Sequence, residues 1–151
     1  MNDNPSPRPA LAEADLRYFF ASGSEIGIVV MGAAHHFSYR VDELLRRSRS
    51  RKATRRPPKV FRYRAARRLG LIDSAEAADL RAVCCLGKRS FERSGALDLE
   101  NPTVIATVNR LRAWRPAAGD TQRDTEARLR ISLVMLSAML EAQIDAVTIP
   151  S

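Results

Sequence analysis

Apolar positions in this chain recur at helical spacing and show no convincing strand alternation. Ile26, Val30, Ala33, Phe37, Val41 and Leu44 step by 4, 3, 4, 4 and 3 residues. Leu129, Leu133, Leu136, Leu140, Ile144 and Val147 repeat the same rhythm. At 3.6 residues per turn, each set lies on one stripe of a helix. The first long helix is predicted to open at a Ser24 cap with Glu25 in its first turn, and the second to cover about 121–147. Stripes of matching rhythm predict that the two pack together as antiparallel core helices of a bundle.

Shorter patterns fill the remainder. Residues 1–9, MNDNPSPRP, read as a disordered polar tail. A first helix over about 10–22 would put Leu11, Ala14 and Tyr18 on one side and end at Gly23. A third, over about 59–69, would group Phe61, Ala65 and Leu69 and stop at Gly70. Asp73 and Glu76 have the spacing of a capping box, and the helix they open carries Ala77, Leu80, Cys84, Gly87 and Phe91 on one face. Asn101 followed by Pro102 starts a fifth helix, reaching about Trp114 through Val104, Val108 and Leu111. The expected fold class is all-α, a single-domain helical bundle of five to six helices over 10–149. The 151 residues, 45% of them hydrophobic, suffice for one core and not for two.

Charge adds a feature that the periodicity does not show. The formal net charge is +8, yet residues 46–68, RRSRSRKATRRPPKVFRYRAARR, hold 12 Lys and Arg with no acid, which leaves −4 for everything else. Pro57 and Pro58 interrupt any helix there, so 46–58 is expected to be a basic loop. Arg46, Arg47, Arg49, Arg51, Lys52, Arg55, Arg56 and Arg62 are the candidate residues for binding an anion or nucleic acid; the plain alternative is a solvated loop.

Reactive chemistry is sparse. Cys84 and Cys85 are adjacent and point about 100° apart on a helix, which opposes a disulfide. With no metal-binding spacing and no apolar leader, a reducing cytoplasm is the expected setting. The run ISLVMLSAML spans 10 residues, short of the roughly 20 that cross a bilayer, so it reads as a core helix and no membrane partner is expected. His35 and His36 diverge as neighbours on a helix, a poor chelate, and read as structural histidines. Of the carboxylate pairs, Asp98–Glu100 and Asp120–Asp124 fall at helix starts, and Asp42–Glu43 stands on the second helix. Gly23, Gly27 and Gly32 lack a phosphate-loop pattern, and no serine sits in a nucleophile elbow. No cofactor is expected, and the chain reads as non-enzymatic. One polar cluster remains, KRSFERS, with Phe91 on the buried stripe and Lys88 and Glu92 as an outward pair one turn apart. Arg89 and Arg93 there form either an anion clamp or a solvated helix end.

Taken in order, FRYRAARRLGLIDSAEAADLRAVCCLGKRSFERSGALDLENPTV resembles the core of the mannitol operon repressor (MltR-like) family. A helix with a Leu-Gly-Leu-Ile stop precedes an acidic cap, and the arginine-bearing helix that follows runs into the loop LDLENPTV. GIVVMGAAHHFSYRVDELL and TEARLRISLVMLSAMLEAQI are similar to that family's second and closing helices, so the likeness spans Phe19 to Ile144. The family looks related to the helical HEPN superfamily (higher eukaryotes and prokaryotes nucleotide-binding), whose catalytic members pair an Arg with a later His to cleave RNA. Laid onto this chain, Lys88 falls at the motif Arg and Arg93 at the motif His, with Arg89 beside Lys88. Arginine does not exchange a proton near neutrality. The resemblance therefore implies a degenerate site and a cytoplasmic bacterial regulator, nominally a transcriptional repressor, working without an evident helix-turn-helix. Its expected partner is a protein, such as another regulator, with a homodimer through the long-helix faces compatible with it. DNA or RNA bound through the basic segment and a residual ribonuclease or toxin–antitoxin role are the alternatives.

Overall fold

Helix boundaries in this chain follow from the caps its residues provide. The computed structural model describes residues 13–49, 62–115 and 124–148. Among them it has six helices and no strand: α1 Glu13–Ser22, α2 Ile26–Arg49, α3 Arg62–Arg68, α4 Ser74–Glu92, α5 Pro102–Arg110 and α6 Thr125–Thr148. The all-α class is as expected. Before α4, the Glu76 N–H donates to the Asp73 carboxylate at 2.7 Å and the Asp73 N–H donates to the Glu76 carboxylate at 2.9 Å. These bonds occupy two amides that a helix start leaves unpaired. Asn101 accepts from the Thr103 amide at 2.9 Å with Pro102 at the first helical position. At the end of α3, Gly70 has φ +72°, and the Leu71 and Gly70 amides return to the Ala66 and Arg67 carbonyls. That pattern is a Schellman stop, which favours glycine.

Several boundaries and faces differ from the expectation. α2 opens at Ile26, and the carbonyl of Glu25 rather than Ser24 accepts its first bond, from Val29. It continues to Arg49, so Arg46 and Arg47 belong to a helix and not to a basic loop; residues 50–61 lie outside the described residues. In α1 the buried side chain is Phe20 and Tyr18 is exposed, while Leu11 lies outside the described residues. In α3 the buried position is Ala66, with Leu69 exposed and Phe61 outside the described residues. α5 stops at Arg110, and Trp114 sits in the following turn, where its indole N–H donates to the Val108 carbonyl at 3.2 Å.

The core is organised around α2, which packs on α1, α3, α4 and α6. Phe37, Val41 and Leu44 of α2 meet Leu80 and Val83 of α4 and Leu129, Leu133 and Leu140 of α6 in one fully buried cluster. Each such side chain contributes roughly 1.5–3 kcal/mol on burial. The two long helices pack together as expected, but they run parallel. Arg130 near the start of α6 donates to the carbonyls of Phe20 and Gly23 ahead of α2, while Arg47 near the end of α2 donates to Thr148 at the end of α6. α4, and not α6, is the long helix that runs antiparallel to α2. Among the described residues α6 alone is long and apolar enough to qualify as a membrane span; here Leu129, Leu133, Leu136, Leu140 and Ile144 face the other helices.

α4 crosses α2 in the opposite direction at close range. A Cβ on Gly87 would stand 2.7 Å from the Ala34 Cβ, and one on Gly27 would stand 2.0 Å from the carbonyl oxygen of Gly95. The backbone of the loop after α4 thus rests directly on the first turn of α2.

Candidate functional site

The close α2–α4 crossing and short α3 border an open cavity of about 490 Å³. Ser38 and Asp42, one turn apart on α2, line it with Arg62 and Tyr63 of α3 and Cys84 of α4, and Tyr39 borders its mouth. The Ser38 and Tyr63 hydroxyls share a hydrogen bond at 3.1 Å, and Tyr63 Oη is 3.0 Å from Cys84 Sγ. Burial pushes the Cys84 thiol above its ordinary range. Burial, reinforced by Cys84, raises the Tyr63 phenol as well. Both groups are therefore neutral hydrogen-bonders at neutral pH. Arg62 is 9% exposed, and its Nε lies 3.6 Å from the Asp42 carboxylate. That distance makes an ion pair and not a hydrogen bond, and the Nε–H has no hydrogen-bond partner. Sequence periodicity leaves Ser38 and Asp42 as polar positions one turn apart but does not say which helix they meet, so this cavity was not foreseen.

The basic candidates separate into different roles. Arg62, expected on an anion-binding surface, is turned inward against Asp42. Arg47 and Arg40 both bond the Glu43 carboxylate at 2.7 Å. Burial alone would raise the Glu43 pKa, but the hydrogen bonds and charges of Arg40 and Arg47 outweigh it and hold the carboxyl below its ordinary range. Arg46 is exposed on α2, and Arg64, Arg67 and Arg68 are exposed on α3. The Arg49 side chain and Arg51, Lys52, Arg55 and Arg56 lie outside the described residues.

The polar cluster at the end of α4 is rearranged relative to the expectation. Phe91 is 73% exposed, not on the buried stripe. The buried arc is Leu80, Val83, Leu86, Gly87 and Ser90. Cys84 and Phe91 stand at the edge of that arc, about 100° and 80° from its centre near Val83. α3 covers the edge at Cys84 through Tyr63 but does not extend to Phe91. Lys88 and Arg93 are exposed and Arg89 is half-buried, and among the described residues no ion pair joins Lys88 to Glu92. His35 is exposed, whereas the His36 ring lies 6.1 Å from both Phe20 and Phe37, so the two histidines diverge as expected. Among the described residues no group of His, Cys, Asp and Glu is placed to hold a metal ion.

Sequence reasoning also did not single out the outer face of α2. Ile28, Gly32, His35 and Tyr39 are all exposed at helical steps, Ile28 by 52% and Tyr39 by 63%. Phe19 of α1 lies against Gly32 at one side of this stripe. No family model, no characterised protein and no solved structure matches the chain.

Proposed function

We propose that the chain is a non-catalytic cytoplasmic regulator of the MltR-like kind, acting through protein contacts made by the outer face of α2, first of all with a second copy of itself. The observation that carries this reading is the exposed stripe of Ile28, Gly32, His35 and Tyr39. Ile28 and Tyr39 are two large apolar side chains left exposed on one stripe, with Gly32 and His35 between them, and a partner helix would cover both. The same stripe has exposed Glu25 before its start and exposed Arg46 near its end. A two-fold antiparallel pairing of α2 with its copy sets Glu25 opposite Arg46 and Tyr39 opposite Gly32, so charge meets opposite charge and the ring meets a gap. The absence of turnover is supported by Arg93, an exposed arginine where a proton-shuttling histidine would be needed.

Light scattering on a sizing column tests the contact. At about 100 μM, well above the dissociation constant of a modest interface, wild-type chain is expected at twice its 16.8 kDa mass. Tyr39→Asp is expected at the monomer mass with an unchanged helical spectrum. A monomeric wild type, or a dimer that Tyr39→Asp leaves intact, overturns the reading.

A second reading is favoured by the exposed Arg67 and Arg68 on one short helix: nonspecific binding of nucleic acid phosphate. The two readings respond differently to salt, because a contact centred on Ile28 and Tyr39 weakens far less than phosphate binding as counterions are added.

A further inference from the structure

We propose that the cavity between α2, α3 and α4 is a binding site for a small organic carboxylate, held by Arg62. A buried N–H with no acceptor costs about 1–3 kcal/mol, more on a charged group, so such groups persist where something meets them. The Arg62 Nε–H is buried without a hydrogen-bond partner, and the Arg62 side chain lines a cavity of about 490 Å³. The neighbouring Asp42 oxygen, at 3.6 Å, balances charge without closing the bond. A guanidinium edge offers N–H groups that match the two oxygens of a carboxylate, which makes an incoming carboxylate the acceptor the site lacks. Ser38 and Tyr63 present hydroxyls on the adjoining wall. Asp42 opposes an anion, so it sets the affinity low and makes removal of its charge informative.

Cys84 lines the same cavity and reports its occupancy. In full-length Cys85→Ser protein Cys84 is the one remaining thiol, because the chain has two cysteines. Its alkylation by neutral iodoacetamide is followed with increasing succinate, with succinamide and inorganic phosphate as controls. Succinate is expected to slow alkylation saturably, about tenfold at ten times its dissociation constant, and the controls are not. Asp42→Asn is expected to shift the succinate curve several-fold toward lower concentration, while Arg62→Gln abolishes protection. Because Arg62→Gln removes a buried group and can unfold the chain, Asp42→Asn is the deciding variant: a structural disturbance would weaken protection, not strengthen it. No protection by succinate, equal protection by phosphate or succinamide, or weakened protection in Asp42→Asn overturns the proposal.

Discussion

Asp79 is 4% exposed on α4, and its carboxylate accepts the Arg112 amide at 3.1 Å and the Ala113 amide at 2.9 Å. It thereby fastens the turn after α5 to the middle of α4, a task no neighbouring residue shares by sequence. Burial lifts its carboxyl above the ordinary aspartate range, and the two amides and the nearby Arg112 and Arg115 charges hold part of that rise back. Losing the acceptor while the amides stay buried costs about 1–3 kcal/mol for each amide left unpaired. Asp79→Ala is accordingly expected to lose about 2–4 kcal/mol in urea unfolding. Asp79→Asn keeps one acceptor oxygen and sheds the buried charge, so its loss should be clearly smaller. Equal losses for the two variants would mean that packing, not amide acceptance, is what Asp79 provides. From the sequence Asp79 reads as one more polar residue in an amphipathic helix, because its partners lie 33 and 34 positions away.

Between elements, what was legible divides along the same line between local and distant causes. Capping by Asp73 with Glu76, and by Asn101 with Pro102, was readable because the donor and acceptor stand within three residues. The stripes of α2 and α6 were readable because periodicity is local too. Their parallel direction was not, since a stripe names a face and carries no arrow; Arg130 and Arg47 settle it through bonds spanning more than 100 positions. Phe91 was misplaced because spacing alone does not locate the centre of the buried arc. Nor does spacing show what the glycines do: Gly87 lets α4 approach α2, and Gly27 lets the loop after α4 rest on the first turn of α2. A methyl on Gly27 meets backbone oxygen at 2.0 Å, whereas one on Gly87 meets the Ala34 Cβ at 2.7 Å. Backbone yields less than a side chain, so Gly27→Ala should destabilise more than Gly87→Ala, for which about 1–3 kcal/mol is expected from overpacking. Ala34→Gly should restore part of the Gly87→Ala loss and none of the Gly27→Ala loss, as thermal or urea unfolding of the double variants would show.

Across the whole molecule, arginine does two kinds of work that net charge does not separate. Arg40 and Arg47 clasp Glu43, Arg62 faces Asp42, and Arg130 ties the link between α1 and α2 to α6. These are struts whose charge is largely answered inside the fold. Arg67 and Arg68 project from α3 into solvent, on the face away from Ala66. If the chain binds DNA or RNA, each arginine that contacts a phosphate adds about 0.9 to the slope of log affinity against log salt on duplex DNA. Replacing Arg67 and Arg68 with Ala should then lower that slope by about 2 in gel shifts between 50 and 200 mM salt. Arg40→Ala should cost stability and leave the slope alone, because its charge is committed to Glu43. The α3 replacements lie off the Ile28–Tyr39 stripe, so self-association should survive them. A double variant with an unchanged salt slope would remove α3 as a phosphate contact, and one that loses the dimer would place the protein interface on α3 instead of α2.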